Sequence, residues 1–439
     1  MKMLLFAAIF IALLLGSRVL ADGDAGNSLL DQLKNPIDGV ELYGDLRYRK
    51  VYGEDWTVGD NAKPYGADKL EYDRIRARLG AKIGLGEGVN AHVRLTQEFK
   101  AYSQGKENSV DYDEIIIDQL NVSIDNFLDM PVKATLGRQD IFMNKWLIFD
   151  GTPGDGSRTF FFDAARFILD LDAGKTLDLV YVQNNNKASS QLTFSTQNSN
   201  WLTENDEKAA ILYYTDKSNA DRAVEAYFIY KDDSVSSSPW SEDAEIYTYG
   251  GALSGSINES LSYRTEAAMQ FGEQGGEALQ AFGSLNNLTY SFNDDMANAL
   301  TLEYEYASGD DPDTNMREDF DPLWGEWPRF SELYVYTIMA EGQPIADITN
   351  LHRIGLTHTC NPMAKVSVRS AYHLLWTAQN QDTGSGSSNL RGQLFTNQIA
   401  YKINKNLSTR LNAEYFRPGD YLADREDAVF LRAEVVVSF

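Results

Sequence analysis

The 439-residue chain has one cysteine, Cys360, so no intramolecular disulfide can form. It has only four histidines (His92, His352, His358 and His373), none at metal-ligand spacing, and no G-x-x-x-x-G-K-[ST] loop to cradle a nucleotide phosphate. Positive charge is also in short supply: 39 Lys and Arg against 64 Asp and Glu leave a formal net charge of −25. That balance argues against DNA or RNA as a partner. Beyond residue 21 there is no long apolar run, so the rest of the chain offers no membrane-crossing helix. Two classes remain, an exported soluble protein and a closed barrel whose strands satisfy one another's backbone groups. Proline is scarce, at 11 residues, which leaves few interruptions to strand ladders.

What is present points toward export and sheet. Met1-Lys2-Met3 is a short basic start, Leu4 to Leu15 is unbroken apolar sequence, and Val19-Leu20-Ala21 has the small-residue cleavage pattern. Residues 1–21 are therefore expected to be a secretory signal peptide. Residues 22–439 are expected to form a single domain, with a polar lead-in over 22–38 and one helical turn at Ser28–Leu33. Aromatic residues make up 12% of the chain and glycine is plentiful, as many short amphipathic strands require. The final segment alternates strictly: Leu431, Ala433, Val435, Val437 and Phe439 on one parity, Arg432, Glu434, Val436 and Ser438 on the other. A strand of this kind ending on an aromatic resembles the C-terminal sorting strand of bacterial outer-membrane barrels.

The same alternation recurs throughout. It predicts strands near 40–51, 69–84, 88–101, 114–125, 131–140, 162–171, 176–184, 208–215, 222–231, 244–257, 261–272, 277–291, 299–307, 350–359, 364–376, 391–402, 407–416 and 428–439. The connections alternate too. Short ones such as Gly84–Gly88, Asp172–Lys175, Asn258–Ser260 and Asn404–Asn406 take turns with long ones such as 141–161, 185–207 and 308–349; Glu273–Gly276 is the one short member of the long set. A soluble sandwich has no reason to sort its connections by length. A membrane barrel does. The predicted fold is an all-β transmembrane antiparallel barrel of about 18 strands, with short periplasmic turns and long extracellular loops, and outer-membrane lipid as its surroundings.

In such a barrel the apolar parity faces lipid, because a charge there costs about 2–4 kcal/mol at mid-membrane. Ile75, Ala77, Leu79, Ala81 and Ile83 then face out, while Arg74, Arg76, Arg78 and Lys82 face in. Arg47 and Arg49 follow on the first strand, His92, Arg94 and Lys100 on the third, and Arg166, Arg264, Arg353, Lys365, Arg369, Arg410 and Arg432 further along. Inward acids include Asp45, Glu98, Glu266, Glu303, Glu305, Glu414 and Glu434, yet bases outnumber them, and many acids sit in loops such as Asp310–Asp313 and Glu318–Asp321. An acidic chain is thus expected to enclose a basic channel that favours anions. The alternative is that Arg and Glu of neighbouring strands pair and merely fill the lumen.

Several stretches, taken in order, resemble the alginate export porins: Leu136-Gly137-Arg138-Gln139, then Phe160 to Arg166 with Asp163, then Glu303 to Asp310 followed by Phe320-Asp321-Pro322-Leu323, then Asn350-Leu351-His352-Arg353, and Phe416 to Leu422. The resemblance implies an eighteen-stranded barrel with an arginine-rich constriction through which a polyuronate passes outward. It singles out Arg138, Asp163, Arg166 and Arg353. Arg138, however, falls on the lipid parity of its strand and needs a bulge to reach the lumen.

The functional expectation is a passive, anion-selective outer-membrane channel for alginate, a similar anionic polysaccharide or a sugar acid. Its pore-lining set is Arg47, Arg49, Arg74, Arg76, Arg78, Arg94, Arg138, Asp163, Arg166, Arg353, Arg369 and Arg410. The alternative is a general or nutrient-uptake porin in which loop 308–349 folds inward and Trp324, Trp327, Phe330, Tyr334 and Tyr336 stack on sugars. An enzyme is disfavoured, and no cofactor or metal is expected. The Asp311-Pro-Asp313-Thr-Asn315 segment alternates oxygen ligands but lacks the later Gly and Glu of a calcium loop. Whether periplasmic export partners cap the turns stays open.

Overall fold

The structure, a computed structural model, describes residues 34–55, 69–104, 110–143, 146–149, 161–172, 174–185, 206–234, 242–325, 329–337, 349–380, 388–422 and 426–439. The signal segment, the Ser28–Leu33 turn, Trp327 and parts of the long loops lie outside them. Eighteen strands close into one antiparallel barrel. They are β1 (Val40–Glu54), β2 (Lys69–Gly86), β3 (Val89–Gln104), β4 (Val110–Ile124), β5 (Val132–Gln139), β6 (Phe162–Asp172), β7 (Lys175–Asn184), β8 (Asp206–Asn219) and β9 (Arg222–Ser234). The second half comprises β10 (Ala244–Ser256), β11 (Leu261–Gln274), β12 (Glu277–Ser291), β13 (Ala299–Ala307), β14 (Leu351–Met363), β15 (Val366–Trp376), β16 (Leu390–Lys402), β17 (Leu407–Pro418) and β18 (Ala428–Ser438). Each pairs with its sequence neighbour, and β18 returns to β1 in the register Asp45↔Ser438 to Glu54↔Val429, so no edge is left open. Phe439 and Gly44 complete the seam by exchanging two backbone hydrogen bonds.

All eighteen predicted strands are present, with ends that run a few residues longer on several of them. The physical reason is length. An apolar band roughly 25 Å tall is crossed by about 10 tilted residues, whereas β2 has 18 and β3 has 16. Ladder pairing continues past the alternation that reveals it. The short connection between β11 and β12 is a two-residue hairpin, and both of its residues, Gly275 (φ 61°) and Gly276 (φ 84°), adopt the left-handed conformation that glycine tolerates best.

Parity is legible in burial. On β18, Leu431 and Val435 are exposed on the outer face while Arg432 and Glu434 are buried inside. Leu120, Leu212, Leu302, Leu356 and Leu411 continue the outer apolar surface. No described helix is long and apolar enough to cross a membrane; the crossing is made by strands. Inside, Ile141, Trp146, Leu147, Phe320, Leu323, Phe330 and Leu333 pack against wall residues such as Val180, Val182, Ile211, Ile229 and Leu375. The apolar core of the molecule therefore lies within the lumen, where loop side chains pack on the inner faces of the strands.

Candidate site lining the barrel lumen

The period of two places Arg47 and Arg49 on the inner face of β1, and Arg74, Arg76 and Arg78 on that of β2. The register sets Arg47 directly opposite Arg76, and Arg49 opposite Arg74. Like charges so placed destabilise a ladder, and carboxylates from neighbouring strands offset them. Glu98 accepts from Arg74 at 2.7 Å and from Arg47 at 3.3 Å. Asp45 accepts from Arg76 at 2.9 Å, and Glu434 from Arg49 at 2.6 Å. Arg410 stands 3.9 Å from Glu434. Arg432 and Arg49 both meet Glu332, which arrives on a loop. Seven guanidinium groups (Arg47, Arg49, Arg74, Arg76, Arg78, Arg410, Arg432) thus share this wall with five carboxylates (Asp45, Glu98, Glu332, Glu414, Glu434). The bases remain in excess by two.

The opposite wall has the reverse balance. Arg264 lies between Glu225 (2.9 Å) and Glu266 (2.8 Å). Lys231 is held by Asp233 at 2.8 Å and Glu207 at 3.7 Å. Nearby, the loop residue Asp321 has its carboxyl pushed above the usual range by burial, with Lys231 pulling the other way. The lumen is therefore not uniformly basic. Its charge is segregated, basic around β15–β18 and β1–β3 and acidic around β8–β11.

Between these sectors, Arg94 forks onto Asp118 at 2.8 and 2.9 Å and reaches Asp140 at 3.1 Å. Arg166 forks onto Asp178 at 2.8 Å on both arms. Arg353 is buried between Glu303 (2.7 Å) and Glu305 (2.9 Å), with Phe330 stacked on its guanidinium 4.4 Å away. Arg369 donates to the Thr357 hydroxyl at 3.5 Å. Arg138 behaves differently. It is in register with Leu120, an exposed outer-face residue, and with Asp163. Its guanidinium pairs with Asp163 at 2.8 Å, caps the Ile117 carbonyl at 2.9 Å and lies on the Phe161 ring. Gly137 (φ 113°) bends the strand beneath it, and although the register is that of the outer face, the Arg138 side chain is buried, on a Phe161 ring that packs against Ile116. It closes the gap left where β5 parts from β4 and the chain turns inward at Ile141.

Two inward loops meet across the lumen. Arg329 donates to the Trp146 carbonyl at 2.9 Å and lies 3.6 Å from Glu305, while burial lowers its own proton affinity. Helix α1 (Glu332–Thr337) begins beside β17, where Glu414 accepts from the Ser331 hydroxyl and from the Leu333 N–H at 3.0 Å. The aromatics that looked available for sugar stacking are engaged within the protein: Trp324 edges onto Phe162 and donates to Glu207, and Phe330 packs on Tyr334 and His373. The side chain of Tyr336 lies outside the described set. The Asp311 carboxylate accepts from the Asp313 N–H at 3.0 Å, which closes a local turn. Glu332, Ser331 and Arg329 were not singled out by sequence. Their one signal was a charged pair, Arg329 and Glu332, inside an aromatic cluster of a long loop.

A family model described as "Alginate export" matches residues 40–436 of the chain. No curated protein matched it. Among solved structures, OccK11 (OpdR) of Pseudomonas aeruginosa is 13% identical, with a TM-score of 0.57 and coverage of 91% of this chain and 96% of that one. OpdQ of the same organism is 13% identical, with a TM-score of 0.58 and coverage of 92% and 98%. The outer membrane protein OprD, also from Pseudomonas aeruginosa, is 11% identical, with a TM-score of 0.55 and coverage of 91% and 94%. At these identities the likeness is one of fold.

Proposed function

The chain belongs to the alginate export family, and on that premise we propose that its lumen selects anions and conducts alginate or a similar anionic polysaccharide passively. It is an outer-membrane channel and not an enzyme. The observation that carries the finer reading is the guanidinium excess of the wall built from β17, β18, β1 and β2. Each guanidinium has five N–H donors in a planar fork that matches a carboxylate. Most of these forks already hold one carboxylate of the protein, so a passing uronate meets sites that are partly satisfied and therefore weak. Conduction needs that weakness, because a solute must leave each site as readily as it enters. Arg74, Arg76, Arg78 and Arg410 are the residues to which we assign solute contact, with the buried Arg47 and Arg49 adding positive charge behind them. Arg94, Arg166, Arg353 and Arg369 hold the neighbouring walls, and Arg138 with Asp163 fills the gap where β5 parts from β4. The setting we assign is the outer membrane of a Gram-negative bacterium.

The test is the reversal potential of single channels in a salt gradient. Arg76→Glu combined with Arg78→Glu is expected to turn an anion-preferring channel into a cation-preferring one; unchanged selectivity would discard the reading. A second reading, an uptake porin for small anionic sugars, is favoured by the inward packing of residues 329–334, which narrows the lumen. Liposome swelling with uronic-acid oligosaccharides of increasing length separates the two. A polysaccharide conduit admits long chains, and a small-solute porin shows a sharp size limit.

A further inference from the structure

Two hairpins of the barrel wall present the same polar pair to lipid. On the hairpin of β11 and β12, Thr265 stands directly opposite Asn286, and its hydroxyl donates to the Asn286 carbonyl oxygen. On the hairpin of β15 and β16, Ser370 stands directly opposite Asn397, whose amide donates to the Ser370 hydroxyl oxygen at 2.6 Å. All four share the parity of exposed outer-face residues, namely Met269, Leu288, Tyr372 and Ile399. The pairs also lie at one depth. Thr265 and Ser370 are each four residues from the short-turn start of their strands, and Asn286 and Asn397 each five from the short-turn end. Each asparagine is four residues from an exposed tyrosine, Tyr290 or Tyr401, of the kind that marks a membrane interface. Four residues at about 3.3 Å each, on a strand tilted about 40°, put the amides about 10 Å inside that interface, near the middle of an apolar band about 25 Å tall. At the matching positions β4, β5, β7, β9, β17 and β18 expose Leu120, Leu136, Leu179, Ala226, Leu411 and Ala433 instead. His358 adjoins the second pair from β14.

Hydrocarbon offers an amide no hydrogen bond, and both asparagines keep capacity to spare. Asn286 spends its carbonyl oxygen on Thr265 and one N–H on the Ser284 hydroxyl at 3.3 Å, which leaves its second N–H. Asn397 spends one N–H on Ser370 and leaves its carbonyl oxygen. We infer that these pairs are the two halves of one interface between copies of this chain, with the β11–β12 hairpin of one copy seated on the β15–β16 hairpin of the next. This does not depend on which solute the channel passes. Copies inserted in the same direction bring residues of equal depth together, so a polar pair meets a polar pair. The spare donor of Asn286 then faces the spare acceptor of Asn397, which makes the contact heterologous. Heterologous contacts form a ring when the rotation closes. In a barrel of eighteen strands each strand is turned about 20° from the last, so hairpins four strands apart face directions about 80° apart. The two neighbours of a ring member lie roughly 60° apart in a ring of three and roughly 90° apart in a ring of four, whereas an isologous dimer uses a single face. The ring therefore holds three or four copies.

The experiment starts from Cys360→Ser, which removes the one native thiol. Leu288→Cys and Ile399→Cys each add a thiol two residues beyond an asparagine, at equal depth on the two hairpins. Outer membranes carrying the full chain with both substitutions are oxidised and resolved without reductant. A covalent ladder that stops at three or four copies is expected, and neither substitution alone is expected to cross-link. Cross-linking by one substitution alone would mean an isologous dimer. A ladder no stronger than that of Leu136→Cys combined with Leu179→Cys, on a wall without polar pairs, would mean that the asparagines face only lipid. Either result overturns the inference. Native mass spectrometry of the extracted protein should give a whole multiple of the protomer mass; a remainder would identify a different protein as the occupant and overturn it as well. Asn286→Leu combined with Asn397→Leu is expected to lower the ring fraction several-fold, with heat-modifiable gel mobility showing that the variant barrel has folded. An unaltered ring fraction in that variant would remove the polar pairs, and with them the proposed interface.

Discussion

Glu332→Gln is the substitution that most directly separates a channel held partly shut by its own loop from a static lumen. Glu332 brings a carboxylate to Arg432, whose side chain is 0% exposed, and to Arg49, which is 1% exposed; its own side chain is 18% exposed. Removing one member of a fully buried ion pair costs about 3–5 kcal/mol. Gln keeps an acceptor oxygen, and the exposed part of Glu332 is screened by solvent, so the loss of loop docking is expected to be about 1–2 kcal/mol. That raises the population of the undocked loop about 5–30-fold. Two readouts should move together. Single-channel recordings should spend more time at a higher conductance level, and the reversal potential should shift further toward the anion, because the Glu332 charge beside Arg432 and Arg49 is removed while Arg49 keeps Glu434. Hydrogen exchange at the Leu333 and Tyr334 amides, which are bonded to Glu414 and Ser331, should accelerate by the same factor. Higher conductance with an unmoved reversal potential would mean that the loop is a latch but these guanidiniums lie off the path. Unchanged conductance, potential and exchange would refute the reasoning altogether.

Arg138→Ala is expected to destabilise the folded barrel by about 2–4 kcal/mol, because it removes a buried fork, a carbonyl cap and a stacked ring. This should appear as a lower temperature for the heat-modifiable gel shift, with ion selectivity intact; a selectivity change without destabilisation would place Arg138 in the pore instead. Gly250→Ala puts a Cβ 2.3 Å from the Tyr227 ring, which lies across this glycine from the neighbouring strand. The ring, buried and bonded to Glu266, must swing away, at a cost of about 1–3 kcal/mol, read as a lower urea midpoint for unfolding; an unshifted midpoint would show that the ring is free to move. Raising salt from 0.1 to 1 M shortens the Debye length from about 10 to about 3 Å, so anion preference should fall steeply, and a salt-independent preference would point to size selection.

The barrel was legible because the lipid imposes a rule on every second residue. Ile75, Ala77 and Leu79 could be read as outward from apolarity alone, and Arg74, Arg76 and Arg78 followed to the inside without knowledge of any partner. Turn lengths added an independent signal, since the two membrane faces treat connections differently. The contents of the lumen were not legible in the same way. The sequence around Trp146, Trp324, Arg329 and Ser331 has no periodicity that marks these residues as inward, and their positions depend on distant partners: Trp324 on Glu207, Arg329 on Trp146, Ser331 on Glu414. Pairing of the arginines was likewise hidden. Glu98 on β3 serves Arg47 on β1 and Arg74 on β2, a three-strand arrangement that no single-strand pattern contains.

Arg138 shows where a motif and a parity rule disagree, and what settles it. The family-like run Leu136-Gly137-Arg138-Gln139 suggested a lumenal arginine, while the alternation of β5 pointed it outward. The structure keeps the alternation and makes the outward arginine tolerable by burying it: Asp163 neutralises it, Phe161 covers it, and Ile117 supplies an orphaned carbonyl where the β4–β5 ladder ends. Such a residue is tied to the inward turn of the chain just after it, because β5 can leave the ladder early only if something satisfies the strand it abandons. The loop that begins at Asp140 then carries Ile141, Trp146 and Leu147 into the lumen, where Trp146 meets Arg329 of the second loop. Through that loop the buried Arg138–Asp163 pair is linked to the packing of the lumen. Weakening the Arg138–Asp163 pair by Asp163→Asn should loosen the first loop, and increased open-channel noise with unchanged ion selectivity is the signature to look for; noise at the wild-type level would show that the loop is held by its lumenal contacts alone.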